Sequence, residues 1–319
     1  MTRLHWANVS ERGGVVGMRL LFATYRLFGR GAFTLLLYPV AAYFCLLARG
    51  PREASRHYLA RVRERLRAIR RAAPVPLTTF RHLLQFGHAI LDKGAMWAGA
   101  FPADAVEFDD PAAFESFRSD ARGALFIGSH LGNLEVLRAF GGSVQGLKVN
   151  ALVFTRHSPK FNRVLASVSP RALERTMQVD ALGPDTVVKL GEKLRAGEHV
   201  AIVADRVSVH HKERSLAAPF LGRPAPFPEG PFILASLLGC PVYLIFCLRI
   251  GRKYRVFMEP FADPLELPRE RRRQALVEAI ARYAERLEAH CLLAPTQWFN
   301  FFEFWDQASH ETVDQHAGN

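Results

Sequence analysis

Ala124-Leu-Phe-Ile-Gly128, followed by Ser129-His130-Leu131-Gly132-Asn133-Leu134-Glu135, is the stretch on which the fold turns. Its first five residues form a short apolar run closed by glycine, the pattern of a strand covered on both faces. Serine, histidine, glycine and asparagine then interrupt the run, and helical spacing begins near Asn133. The alternation recurs downstream, with strand predicted over 149–154, helix from about 159, helix over 184–196 and strand over 200–204. Upstream, the periodicity predicts helices over 77–99 and 111–120. Residues 241–250 and 254–259, on either side of Gly251, read as a hairpin, and 269–290 as a charged amphipathic helix. Strands alternating with helices imply an α/β fold, a mainly parallel sheet flanked by helices. The Pro- and Gly-rich stretch 220–235 predicts a stiff loop delivering an apolar helix that starts near Glu229.

Composition narrows the function. A chain of 319 residues, 49% hydrophobic and 11% aromatic, has ample material for a core, which excludes a disordered tail protein. Its net charge of +12 favours anionic partners such as phospholipid headgroups or an acidic carrier protein. Nucleic acid is disfavoured, because no groove-reading or aromatic-basic motif accompanies the charge. Cys45, Cys240, Cys247 and Cys291 are scattered without a C-x-x-C pair, which fits a reducing compartment and argues against a disulfide scaffold.

The basic residues concentrate around one uncharged stretch. Residues 31–48 carry no charge and approach the roughly 17–25 apolar residues that a spanning helix needs. Pro39 falls near the middle, so a span competes with an interfacial anchor and with a buried core helix. Residues 49–71 are rich in arginine, and Tyr58, Val62, Leu66 and Ile69 recur there at helical spacing, as in a helix lying on a membrane surface. The Pro-containing segment after Arg71 reads as a hinge. The expected organisation is therefore a membrane-anchoring helical segment over 1–75, a catalytic domain over 76–306 and a loose polar tail over 307–319.

In sheets of this kind, active groups gather beyond the carboxyl ends of the strands. His130 stands there with Glu135 in the first helical turn, a layout in which neutral imidazole takes a proton while a carboxylate fixes its tautomer. Spacing alone equally allows His130 as a helix cap and Glu135 as a surface charge. Arg156, Asp205 and Arg206 follow the next two strands and converge on the same edge. Arg223, and the helix start at Glu229 and Gly230, offer a place for an anionic group. The run 299–304 fits either the lining of an acyl chain or ordinary core packing. A serine or thiol hydrolase lacks its motif, since Ser129-His130 has no G-x-S-x-G elbow. A zinc site at His210, His211 and Glu213 lacks further ligands at familiar spacing.

Taken together, these motifs resemble the membrane-bound lysophospholipid acyltransferase superfamily, in particular the lauroyl/myristoyl acyltransferases of lipid A biosynthesis. The resemblance rests on His130…Glu135 as an H-x4-acid motif, Asp205 after its strand, the Phe227-Pro-Glu-Gly230 block and the ending Gln297-Trp-Phe-Asn-Phe-Phe-Glu-Phe-Trp305. It implies a glycerol-phosphate-acyltransferase-like fold, His130 as general base with Glu135 as its partner, and Asp205 in the supporting site. It places Asn133, Arg223, Glu229 and Gly230 on the substrate side, with an arginine drawn from Arg156, Arg163, Arg171 and Arg175. The implied reaction moves a fatty-acyl chain from acyl carrier protein, or alternatively acyl-CoA, to a hydroxyl or amine of a lipid, without metal or cofactor. The implied location is the bacterial inner membrane, with the catalytic domain facing the cytoplasm. A non-catalytic lipid-binding protein and an acyl-ester hydrolase are the competing readings. After Asp205 comes Arg206-Val-Ser-Val-His-His in place of the tyrosine-glycine pattern of lipid A enzymes, which leaves another lipid or an acylated secondary metabolite open as acceptor.

Overall fold

A computed structural model of the chain describes residues 15–97, 103–136, 141, 146–153, 176–178, 183–207 and 214–305, with side chains from Gly31 onward. The helix expected from 159, the candidates Arg156, Arg163, Arg171 and Arg175, the pair His210 and His211 with Glu213, and the tail 307–319 lie outside these residues.

Helix α1 (Val15–Leu47) continues through Pro39 and meets α2 (Arg49–Ala68) at a 91° bend. Among the described residues no single helix is long and apolar enough to cross a membrane; only this bent pair, taken from Gly31, passes by length and composition. The stripe on α2 corrects the membrane-surface expectation. Tyr58, Val62 and Leu66 are buried in one cluster with the sheet, and only Ile69 remains exposed. Burying these side chains against the protein removes the same apolar area from water that a bilayer would have removed, so the stripe is no longer available to lipid. On α1, Phe33, Leu37 and Ala41 face inward at helical spacing, towards α3 (Thr79–Trp97). Leu37 packs so closely on Gly87 that a Cβ there would stand 2.4 Å from its Cδ1.

The sheet is assembled from short apolar strands, several of them separated by helices. Strand β1 (Val106–Phe108) precedes α4 (Pro111–Ser119), whose first turn is capped by Asp110 Oδ1 accepting from the Ala113 N–H at 2.9 Å. Then come β2 (Leu125–Gly128), β3 (Val149–Val153), β4 (Thr176–Gln178), α5 (Pro184–Arg195) and β5 (His199–Val203). A ribbon of β6 (Ser215–Phe220) and β7 (Arg223–Pro228) leads to α6 (Gly230–Leu238), and β8 (Val242–Ile250), β9 (Lys253–Ala262) and α7 (Arg272–Leu293) complete the chain. Seven strands form one sheet in the order β1-β9-β8-β2-β5-β3-β4. The run from β8 to β4 is parallel, whereas β9, hairpinned onto β8, reverses direction and β1 follows it. Leu125, Ile127, Leu244, Phe246 and Leu248 bury on the face covered by α2, α6 and α7; Phe126, Ile245, Cys247 and Val256 bury on the face of α4.

The stiff loop expected over 220–235 is partly a ribbon. Leu221 and Gly222, both at positive φ, make the two-residue turn that closes it. Counting from that turn, Pro219, Pro224, Pro226 and Pro228 all occupy pairs that exchange no backbone hydrogen bonds, so none interrupts the ladder. Here the turn geometry overrides the breaker signal of the prolines.

His82 joins α2, α3 and the C-terminal segment. Its Nε2 lies 2.8 Å from the Trp298 carbonyl, which can only accept, so Nε2 carries the hydrogen and Nδ1 accepts from the Ser55 hydroxyl at 3.0 Å. Burial pushes its pKa from 6.5 down to about 4, although the Trp298 carbonyl opposes this. The unfolded chain therefore binds this proton more tightly, so the contribution is complete above pH 6.5 and is lost as pH falls towards 4, by on the order of 3 kcal/mol. Urea unfolding across that window is expected to show a shallower pH slope for His82→Gln than for the wild type.

Candidate active site

Strands β2 and β5 are neighbours in parallel register, with Gly128 opposite Val203. The residues just beyond their carboxyl ends therefore emerge side by side. His130 Nδ1 stands 2.7 Å from Asp205 Oδ1, and the His130 backbone N–H donates to Asp205 Oδ2 at 2.8 Å. Two donors from the C-terminal segment complete the shell of Oδ2, the Trp298 indole N–H at 2.9 Å and the Asn300 amide at 3.0 Å. Asp205 has no exposed surface, and a buried carboxylate of this kind persists because each oxygen is met by donors.

The electrostatics follow from this geometry. Burial on its own would raise the Asp205 pKa, but His130 and Arg206 outweigh it and hold the carboxyl ionised, below its ordinary value. With Asp205 ionised, Nδ1 is the protonated nitrogen of a neutral His130, which leaves the Nε2 lone pair to take a proton. Burial, assisted by Arg206 and Lys93 and opposed by Asp205, lowers the His130 pKa from 6.5. Arg206 itself is pushed down to about 10 by burial. Its guanidinium donates to Asn300 Oδ1 at 2.8 Å and to the Phe299 carbonyl at 3.2 Å.

The loop is held from both sides. Gly132 donates its N–H to the Gln297 carbonyl, and Asn133 donates its own to the Cys247 carbonyl. At Gly132 φ is +75°, and a Cβ would lie 2.0 Å from the Cys247 oxygen, so both conformation and space require glycine. Asn133 spans two elements, its amide donating to the Ala89 carbonyl at 2.8 Å while Oδ1 caps the Val136 N–H at 3.4 Å. The Gln297 side chain clasps Arg249, accepting from its N–H and donating to its carbonyl.

These positions sort the candidates. His130 and Asp205 come together, with Asn133 beside them as a structural tie. The carboxylate on the imidazole is Asp205, where Glu135 was expected; Glu135 instead lies 3.7 Å from Lys93 Nζ on α3. The β2–β5 register delivers Asp205 directly to Nδ1, whereas Glu135 is carried into the following helical turn. Arg223 sits exposed at the tip of the ribbon, while Glu229 and Gly230 begin α6 at the other end of β7, roughly 17 Å away by strand rise. The closing turn thus separates Arg223 from the helix start it was expected to accompany. Among the described residues no group of three or more His, Cys, Asp or Glu side chains is arranged to hold a metal ion. Sequence reasoning missed Lys93, the donor roles of Trp298 and Asn300, and Gln297. For Gln297, Trp298 and Asn300 the signal was the polar pattern Gln-Trp-Phe-Asn set into an aromatic run; Lys93 carried none.

The chain thus carries a histidine oriented by a buried carboxylate at the carboxyl edge of a mainly parallel α/β sheet. The profile of the bacterial lipid A biosynthesis acyltransferases matches residues 87–307, a span that contains His130, Asp205 and the C-terminal segment. The chain belongs to this family and is an acyltransferase. No curated protein sequence matches it. Gly132→Ala is expected to lose about 2 kcal/mol or more in denaturant unfolding, since the strained φ and the clash with Cys247 add together.

Proposed function

We propose that this acyltransferase moves a fatty-acyl chain from a thioester to a hydroxyl or amine of a lipid or lipid-like acceptor, with His130 as general base. The observation that carries the reading is the His130–Asp205 pair, which leaves Nε2 unprotonated at the sheet edge. Nε2 removes the acceptor proton as its oxygen or nitrogen attacks the thioester carbonyl. The tetrahedral intermediate collapses with cleavage of the C–S bond, and the imidazolium returns the proton to the departing thiolate. Arg206 and Lys93, whose charges both act on His130, also favour the developing oxyanion. The chemistry needs no metal or cofactor. The acyl donor is acyl carrier protein, an acidic partner suited to a chain of net charge +12, with acyl-CoA as the alternative.

The enzyme works at the bacterial inner membrane, with this site on the cytoplasmic side. Supporting this, α1 leaves Leu35, Tyr43, Leu46 and Leu47 exposed at 74%, 58%, 70% and 64% on its outer face. An apolar face of this kind beside an arginine-rich helix suits lipid acyl chains and headgroups.

Transfer of labelled acyl groups from acyl carrier protein to a bacterial membrane-lipid extract tests the proposal, with mass analysis identifying the acceptor. His130→Ala is expected to lower transfer by about 10²–10⁴-fold, with circular dichroism of the variant reading any structural cost of the donor lost to Asp205. A variant retaining most of the activity would show that the base is elsewhere, and release of free fatty acid alone would show a hydrolase. Asp205→Asn, which no longer favours hydrogen on Nδ1, is expected to cost on the order of 10²–10⁴-fold in kcat. Because the His130 pKa is lowered, the acid limb of kcat/KM is expected below pH 6.5, which a pH–rate profile reads directly.

A further inference from the structure

The segment after Gln297 alternates. Trp298, Asn300, Phe302 and Phe304 turn inward and are at most 4% exposed, the first two serving Asp205 and the last two the core. Phe299, Phe301 and Glu303 turn the other way and are half-buried. The outward side of a segment is normally polar, as Glu303 is, so two partly exposed phenylalanines there stand out.

Their position links them to the site. The antiparallel bridge between Leu131 and Trp298 sets Phe299 across from His130, and the Phe299 N–H donates to the His130 carbonyl at 2.9 Å. Leu131 and Trp298 are fully buried, whereas His130 and Phe299 both retain exposure. Phe86 of α3, 37% exposed, closes the group, its ring centroid 5.3 Å from those of both Phe299 and Phe301. The buried His82 ring, 4.7 Å from that of Phe301, holds the wall from behind. Along α3 the residues turned to the site follow helical spacing: His82 and Phe86, then Ala89 bonded to Asn133, then Lys93 beside Glu135. The helix is thus apolar on one side of His130 and charged on the other.

We propose that Phe86, Phe299 and Phe301 form the subsite for the donor's acyl chain, which leads the thioester carbonyl to His130 from the apolar side. The proposal rests on the acyltransferase reading above and adds where the chain lies. Phe302 and Phe304 are excluded from the subsite, because the core already covers them.

The test uses the full chain and two readouts. The first is photolabelling by a non-hydrolysable thioether of phosphopantetheine carrying a hexadecyl chain with a mid-chain diazirine. Labels on the peptides bearing Phe86, Phe299 and Phe301, competed by long-chain thioester, are expected; labels confined to other peptides overturn the subsite whether or not the enzyme turns over. The second is kcat/KM for thioesters from four to sixteen carbons, in the wild type, Phe86→Ala and Phe301→Ala. The ratio of long-chain to short-chain kcat/KM is expected to fall by about tenfold in each variant, as removal of an apolar contact wall predicts. An unchanged ratio in variants of a wild type that does transfer acyl groups overturns the subsite alone. Absence of transfer by the wild type overturns the broader reading instead, and the photolabel then still decides where an acyl chain binds.

Discussion

The carboxylate of Asp205 is the constraint on which the site depends. It has no access to water, so its charge stands only if donors surround it, and those donors arrive from two distant segments. His130 supplies two of them, its backbone N–H and its ring; Trp298 and Asn300 supply the others. Satisfying this one group therefore fixes the imidazole, locates the loop after β2 and pins the C-terminal segment across it. Removing any donor would leave part of a buried charge unmet, so the histidine and its scaffold are one unit. Arg206 extends the same network, tying the Asn300 side chain and the Phe299 backbone to the end of β5.

Much of this was legible because strands in a parallel sheet declare their ends. The apolar runs at β2, β3, β5 and β8 and the helical periods of α3, α4, α5 and α7 lie within a few residues of their predicted bounds. His130 and Asp205 were visible as polar residues ending two such runs. Which carboxylate meets the imidazole was not visible, because the H-x4-acid resemblance points to Glu135 while lateral register favours Asp205, and register is a property of strand pairing. The short edge strands β1 and β4 carry too few residues to show a period. The ribbon of β6 and β7 was masked by its prolines, whose tolerance depends on which pairs of the ladder they occupy.

The basic N-terminal region shows how one apolar stripe supports two readings. The spacing of Tyr58, Val62 and Leu66 specifies an amphipathic helix but not the medium that covers its apolar side. In the folded chain that medium is the protein core, whereas among the described residues α1 keeps apolar side chains exposed on its outer face. The arginines of α2 are partly committed within the chain, Arg65 to Glu288 and Arg63 to the Leu77 carbonyl.

The prolines of the β6–β7 ribbon carry a further consequence. Pro219, Pro224, Pro226 and Pro228 all fall where the backbone nitrogen points away from the partner strand. A third strand approaching the β7 edge would find proline nitrogens at every position where it requires N–H donors, so that edge cannot serve as a template for strand addition, whereas the β6 edge keeps the outward N–H groups of Ser215 and Ala217. Growth of the ribbon by strand pairing is thereby closed on its β7 side, and any further strand would have to approach from β6.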